Sequence, residues 1–280
     1  MKKLGIIAGG GTLPKEVILA CQKQKRPFFV LALKGFCEPT LLPKNVPVKW
    51  VRLGGAGLIE KTLRAQKVQE IMLIGSVRRP SVLELWPDWT AFKFMMRVLM
   101  QAHGDNGLLC AVVREIERRG FCVVGAHEVL PSLLFGKGLQ GAVSLTQSDI
   151  RDIKRGFEVA KLLGQADVGQ SVIVQQGLVL AVEGIEGTDA LIKRSKILRR
   201  RGGGGVLVKV VKPQQDHRVD LPTIGPRTVQ EVYDAGLKGI AAEAGACLFV
   251  KPAETIRLAD RLGIFIIGID QAWVKKSKSI

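Results

Sequence analysis

The sequence predicts an α/β protein with a Rossmann-like N-terminal domain, a second α/β domain at the C-terminal side, and a cleft between them. Three observations predict it. Short apolar runs alternate with amphipathic stretches through the first part of the chain. Three glycines follow the first apolar run directly. The pattern then changes after Leu130-Pro131, where a glycine-rich stretch begins. Strands buried on both faces read as continuous apolar runs, so runs separated by helices point to a parallel sheet covered on both sides.

The elements follow in order. Residues 4–8 are an apolar run ending at Gly9-Gly10-Gly11, and a helical pattern covers 13–24. Runs at 28–33, 48–53 and 71–75 are further strands, with Gly54-Gly55-Ala56-Gly57 opening a helix before the last. Residues 105–119 form an amphipathic helix closed by Gly120, and 121–124 another strand. The expected boundaries are an N-terminal domain over 1–131, a linker over 132–142 and a C-terminal domain over 143–280. In the second domain Thr146, with Asp149 three residues on, resembles a capping box and starts a helix running to 163. Runs 171–175 and 178–183 meet at Gln176-Gly177, a hairpin signal. Thr188 is the expected N-cap of the next helix. The glycines at 202–205 are a flexible lead into strand 206–211, and Pro226 suits a helix's first turn. A helix at 253–262 and a strand at 264–269 follow.

Composition narrows the function classes. The chain is 47% apolar and 24% charged, an ordinary globular balance. No apolar run approaches the roughly 20 residues of a membrane-spanning helix. Lys2 and Lys3 before an apolar stretch imitate a signal peptide, but the glycines break it early, which favours a buried strand. Cys21, Cys37, Cys110, Cys122 and Cys247 have neither metal-ligand nor disulfide spacing, so a reducing compartment, the cytoplasm, is expected. The net charge of +17 suits nucleic acid, anionic lipid headgroups, or simply a basic proteome background. Aromatics at 5% make a poor base-stacking surface, so nucleic acid is not an expected partner. Peripheral contact with an anionic inner-membrane surface is.

Five segments carry candidate chemistry. Ala8-Gly9-Gly10-Gly11-Thr12-Leu13-Pro14 joins a strand to a helix, where bare backbone and a helix N-terminus suit a phosphate, or else make only a tight turn. Gly75-Ser76-Val77-Arg78-Arg79-Pro80 ends a strand, where ligands of open parallel sheets sit. In His103-Gly104-Asp105-Asn106, Asp105 either caps a helix or orients a ligand. Gly169-Gln170-Ser171 and Glu183-Gly184-Ile185-Glu186-Gly187-Thr188-Asp189 gather carboxylates that repel unless a cation joins them. The densest is the run from Lys212 to Pro222, with Asp216, His217, Arg218 and Asp220 between two prolines. If that run is extended, Asp216, Arg218 and Asp220 share a face. One or two carboxylates with substrate phosphate are the usual hold on Mg²⁺.

Together, Gly-Ile-Ile-Ala-Gly-Gly-Gly-Thr-Leu-Pro, Glu-Gly-Ile-Glu-Gly-Thr-Asp-Ala and Val-Lys-Pro-Gln-Gln-Asp-His-Arg-Val-Asp-Leu-Pro-Thr-Ile-Gly-Pro resemble the LpxI family, UDP-2,3-diacylglucosamine pyrophosphatases of lipid A biosynthesis. The resemblance implies cleavage of the UDP-linked diacylated glucosamine to UMP and lipid X, with Mg²⁺. It implies that Asp220 is the essential acid, with Asp216 second. It implies substrate contacts at Gly10, Gly11, Thr12, Leu13, Gly75, Asp105, Gln170, Thr188 and Asp189. Asp220, Asp216 and Glu186 are then the expected metal ligands, and Lys209 and Arg218 the expected transition-state cations. The stretch 86–100, with Trp86, Trp89, Phe92, Phe94, Met95, Met96 and Leu99, suits an acyl groove, the core or a homodimer contact. A nucleotide-dependent oxidoreductase and a non-enzymatic RNA-binding protein are the alternatives on sequence alone.

Overall fold

The fold was read from a computed structural model, which describes residues 1–77, 88–101 and 104–276. Arg78, Arg79, Trp86, Pro87 and His103 lie outside the described residues. The chain divides into two compact units, one of residues 1–131 with 216–220, the other of 132–215 with 221–280.

The first unit holds strands β1 (Leu4–Ala8), β2 (Phe28–Leu33), β3 (Val48–Val51), β4 (Glu70–Ile74) and β5 (Cys122–Val123). They lie in the order β3-β2-β1-β4-β5, every pairing parallel. This is a doubly wound order that reverses direction between β1 and β4. Its described helices are α1 (Leu13–Lys23), α2 (Ala56–Ala65), α3 (Trp89–Gln101), α4 (Gly104–Arg118) and the short α5 (Ala126–Val129). Leu31, Leu33 and Ile71 of the sheet pack with Leu63 of α2 and Val113 of α4. Glu115, only 2% exposed, is tied to Arg118 on its own helix, to Arg119 just past that helix's end and to Arg97 of α3.

The second unit has a sheet in the order β6-β13-β11-β9-β7-β8. These are β6 (Gly138–Leu139), β7 (Ser171–Gln175), β8 (Leu178–Val182), β9 (Val206–Lys209), β11 (Gly239–Glu243) and β13 (Phe265–Ile269). β9, β11 and β13 are parallel, whereas β7 runs antiparallel to both β9 and β8. β10 (Thr223–Ile224) and β12 (Leu248–Phe249) make a separate pair. One face packs on α6 (Gln147–Gln165) through Ile153, Phe157 and Ala160. The other packs on α7 (Thr188–Leu198), α8 (Pro226–Asp234) and α9 (Pro252–Leu262). A short α10 (Gln271–Lys276) follows β13.

Local chemistry explains the details. Thr146 accepts from the Asp149 amide and Asp149 returns the bond, the expected capping box. Gln176 and Gly177 both have positive φ, +55° and +78°, as a tight hairpin needs. The N-cap of α7 is Gly187, so Thr188 is its first residue, not its cap. The glycines at 202–205 are held in place, since buried Gln175 donates to the carbonyls of Arg200 and Gly203. The glycine-rich stretch 132–142 is packed too: Leu133 and Phe135 are buried, and β6 pairs with β13.

A close backbone contact joins the ends of β1 and β4. Gly10 and Ser76 exchange both backbone hydrogen bonds, at 2.9 Å each. A Cβ on Gly75, which has φ +95°, would lie 2.6 Å from the Gly10 carbonyl oxygen. Gly75→Ala is therefore expected to destabilise the fold by about 2–3 kcal/mol, from backbone strain plus the clash. Denaturant unfolding checks this, and a change under about 0.5 kcal/mol, typical of neutral surface sites, would contradict it.

Candidate functional site

In the first unit, the reversal of strand order places the glycine loop where doubly wound folds bind ligands, beyond the carboxyl ends of β1 and β4. Gly9 and Gly10 are there for backbone room: a Cβ on Gly9 would sit 2.7 Å from the Ser76 carbonyl oxygen, and one on Gly10 2.9 Å from Ser76 Oγ. Gly11 differs, with φ +87° and open space where its Cβ would be. Thr12 caps α1 without a side-chain hydrogen bond, and Leu13 and Pro14 open the helix. Amide groups of a helix's first turn have no intrahelical partner, so this end suits an anion. Asp105 falls in the first turn of α4.

The run from Lys212 to Pro222 is not extended, which corrects the shared-face expectation. Two turns fold it, closed by Gln215 N to Lys212 O at 3.1 Å and by Val219 N and Asp220 N to Asp216 O at 3.1 and 3.0 Å. The reason is local: the Asp216 carboxylate accepts the Arg218 amide at 3.0 Å, the two-residue bond by which aspartate builds a turn. Asp216 also accepts from Arg218 Nε and Nη2, at 3.0 and 2.7 Å. Arg218 Nη1 reaches Glu117 of α4 at 2.6 Å and the Val123 carbonyl of β5. The guanidinium thus pins residues 216–220 onto the first unit. Gly125 leaves the room, since a Cβ there would lie 3.1 Å from Arg218 Cα. The Arg218 hydrogen bonds hold the Asp216 carboxyl below the usual carboxylate range. Arg218 is itself raised above its ordinary value, first by its bonds to Asp216. Asp220 is half-buried at the end of this turn.

In the second unit, a polar patch sits at the carboxyl end of β8 and β9, on the face covered by α7. Ser171 is register partner of Lys209, so their side chains share that face. Ser171, Glu183, Lys209, Lys212 and Gln215 are all buried. Thr188 Oγ1 donates to Glu183 Oε1 at 2.9 Å, which leaves Ser171 Oγ to donate to Thr188 across 3.2 Å. The Gln170 amide reaches Glu183 Oε2 at 3.3 Å, and Gln215 Nε2 points at Gln170 Oε1. Lys209 Nζ contacts the Thr223 carbonyl at 3.3 Å, and Lys212 Nζ pairs with Asp167 at 3.1 Å. On the opposite face Lys161 pairs with Glu243, whose Oε2 also takes the Val211 amide. Burial pushes the Cys247 thiol up to about 12, so it stays protonated.

Two family models match the chain: the LpxI N-terminal domain over residues 3–133 and the LpxI C-terminal domain over 136–267. The UDP-2,3-diacylglucosamine pyrophosphatase LpxI of Caulobacter vibrioides is 41% identical over 277 residues, 96% of this chain and 98% of the relative. The chain belongs to the LpxI family. Among solved structures, the Bordetella bronchiseptica enzyme WbmG in complex with NAD and UDP is 11% identical at a TM-score of 0.36, covering 98% of this chain and 86% of its own. WbmG in complex with NAD is 10% identical at 0.36, covering 98% and 87%. Likeness that weak has no bearing on chemistry.

In this LpxI chain the expected site residues are sorted by their partners. Gln170, Thr188 and Lys209 share the buried patch, whereas Asp189 is exposed and paired with Arg227 at 2.6 Å. Glu186 is bound to Arg194 at 2.6 Å. Among the described residues no group of three or more His, Cys, Asp or Glu is placed to hold a metal ion. Of the expected metal ligands, Asp216 and Glu186 each answer an arginine. Glu183 and Gln215 lie in segments the sequence singled out but were not among the expected site residues, and the Lys161–Glu243 pair was missed outright. Glu183 carried a signal, as the last residue of its apolar run; Lys161 and Glu243 are 82 residues apart and carried none.

The Asp216–Arg218 pair has a definite pH signature. A carboxyl lowered on folding stabilises above its unfolded value, about 3.9, and loses that contribution as pH falls through the folded value. Asp216→Asn is expected to cost about 1–2 kcal/mol at pH 7, with the gap to the parent closing in acid. Urea unfolding at pH 7, 5 and 3 reads this out, and a gap independent of pH would refute it.

Proposed function

We propose that this chain hydrolyses the pyrophosphate of UDP-2,3-diacylglucosamine in lipid A biosynthesis, giving UMP and 2,3-diacylglucosamine 1-phosphate (lipid X). The observation that carries the reading is the 41% identity, over 96% of this chain, with the Caulobacter vibrioides relative, which is named for this activity. The proposed setting is the cytoplasm, peripheral to the inner membrane. No described helix is long and apolar enough to cross a membrane.

The residues suit the task in parts. The amides at the start of α1, above open Gly11, suit a phosphate of the UDP pyrophosphate. Lys209 brings a buried positive charge to the polar patch, where Gln170 and Thr188 supply hydrogen bonds. Glu183 fixes the Thr188 hydroxyl, so its lone pairs keep one orientation. Arg218, held by Asp216 and Glu117, positions the turn that presents Asp220, a support role in place of the transition-state role expected for it.

Asp220 is the carboxylate that would hold Mg²⁺, since Mg²⁺ asks few ligands of the protein and is often held by one or two carboxylates together with substrate phosphate. When bound there, it would neutralise charge on the non-bridging oxygens. Water attack on the sugar-side phosphorus, with UMP leaving, is the proposed direction.

Asp220→Ala is expected to lower UMP release by about 100-fold or more, the scale of losing one group that meets developing charge. Near-normal turnover would remove Asp220 from the reaction. Chelation should abolish UMP release and Mg²⁺ restore it; unchanged rates in chelator would refute the metal. In ¹⁸O-water the label is expected in the lipid phosphate, and label in UMP would refute sugar-side attack.

A further inference from the structure

Helix α3 is apolar on two faces. Ala91 and Val98 are buried, and Phe94 packs on the core of the first unit. The opposite side carries Trp89, Phe92, Met96 and Met100, exposed by 69%, 40%, 43% and 76%. They recur at helical spacing, and the Trp89 and Phe92 rings stack 5.6 Å apart. A helix whose inner face already meets the core gains nothing for folding from a second apolar stripe. Lys93 and Arg97 interleave with that stripe, Lys93 lying over the Trp89 ring at 5.1 Å. The helix sequence, WTAFKFMMRVLMQ, has no acidic residue.

We propose that the outward face of α3 docks on an anionic lipid bilayer, its Trp, Phe and Met side chains entering the headgroup boundary and its cations meeting lipid phosphates. The composition is that of an interfacial helix: apolar and aromatic residues on one stripe, basic residues beside it. The charge of the whole chain, +17, adds long-range attraction of the same sign. Charge also decides against a second copy of this chain. A two-fold contact would bring the Lys93 of each helix towards the cations of the other, and α3 has no carboxylate of its own to offset Lys93. The purpose of docking rests on the substrate reading above, since a lipid-linked substrate is met at a membrane; the surface itself does not.

The test is sedimentation of the full chain with vesicles of phosphatidylglycerol and phosphatidylcholine, against phosphatidylcholine alone, with no UDP-lipid present. Binding is expected to the anionic vesicles and to weaken as salt rises. The double change Trp89→Ser and Met96→Ser should weaken it by about tenfold or more, with thermal unfolding unchanged because both side chains are exposed. Lys93→Glu should weaken it mainly at low salt. Anionic vesicles that leave the parent chain in the supernatant overturn the proposal, as does a double variant that sediments like the parent. So does a double variant that turns a parent dimer into a monomer with vesicle binding unaltered, since a second copy would then cover this face. Because retention is read without substrate, a chain that binds vesicles but releases no UMP overturns the hydrolase reading and leaves this one standing.

Discussion

The first unit depends on a contact that only glycine permits. Where β1 and β4 end, the backbones of Gly9-Gly10 and Gly75-Ser76 meet closely enough to exchange hydrogen bonds. Two things follow. The loops after both strands are held at the point where the sheet reverses its winding. Gly11, next to the start of α1, is left with open space where a Cβ would be, while Gly9, Gly10 and Gly75 are taken up by close contact. A side chain at any of the three crowded positions would push these loops apart. The anion-binding capacity of the helix end thus rests on a packing constraint one layer beneath it.

Charge pairing shapes the rest of the candidate site. Arg218 has three acceptors, Asp216, Glu117 and the Val123 carbonyl, and through them it fastens a short turn to α4 and β5. Such a clamp costs desolvation, but it is partly exposed and its partners are nearly complete, so breaking one arm is more costly than never having built it. Its arrangement separates two aspartates that look equivalent in sequence. Asp216 spends both oxygens on the clamp; Asp220 ends the turn. The same sorting occurs in the second unit, where Glu186 and Asp189 are taken by surface arginines while Glu183 turns inward to Thr188.

Buried polar groups must find partners, and in the second unit they find one another. Ser171, Thr188 and Glu183 form a chain of hydrogen bonds, and Gln170 links it towards Gln215. Such a network keeps hydroxyls and amides in single orientations at the end of an otherwise apolar face. Preorganised polar groups of this kind lose little on meeting a ligand. The Lys161–Glu243 pair does a different task on the opposite face, anchoring the Val211 amide where the chain leaves β9.

The sequence by itself determined the five strands of the first unit, the hairpin at Gln176-Gly177, the capping box at Thr146 and the glycine loop, because each is set by neighbours a few residues away; β6, β10, β11 and β12 of the second unit were not read from it. Apolar runs name buried strands, positive φ names glycine, and a threonine three residues before an aspartate names a helix start. The family was legible too, since three motifs spread along the chain carry it. Tertiary structure alone decided which carboxylates are spent on arginines, because Arg218 and Glu117 stand 101 residues apart and Arg227 and Asp189 38 apart. It also decided that the run from Lys212 is turned: period-two alternation assumes an extended backbone, and an aspartate bonding two residues ahead abolishes it. The two apolar sides of α3 were visible as one apolar stretch, but burial is a property of neighbours, and only the folded unit separates the side that packs from the side that faces out.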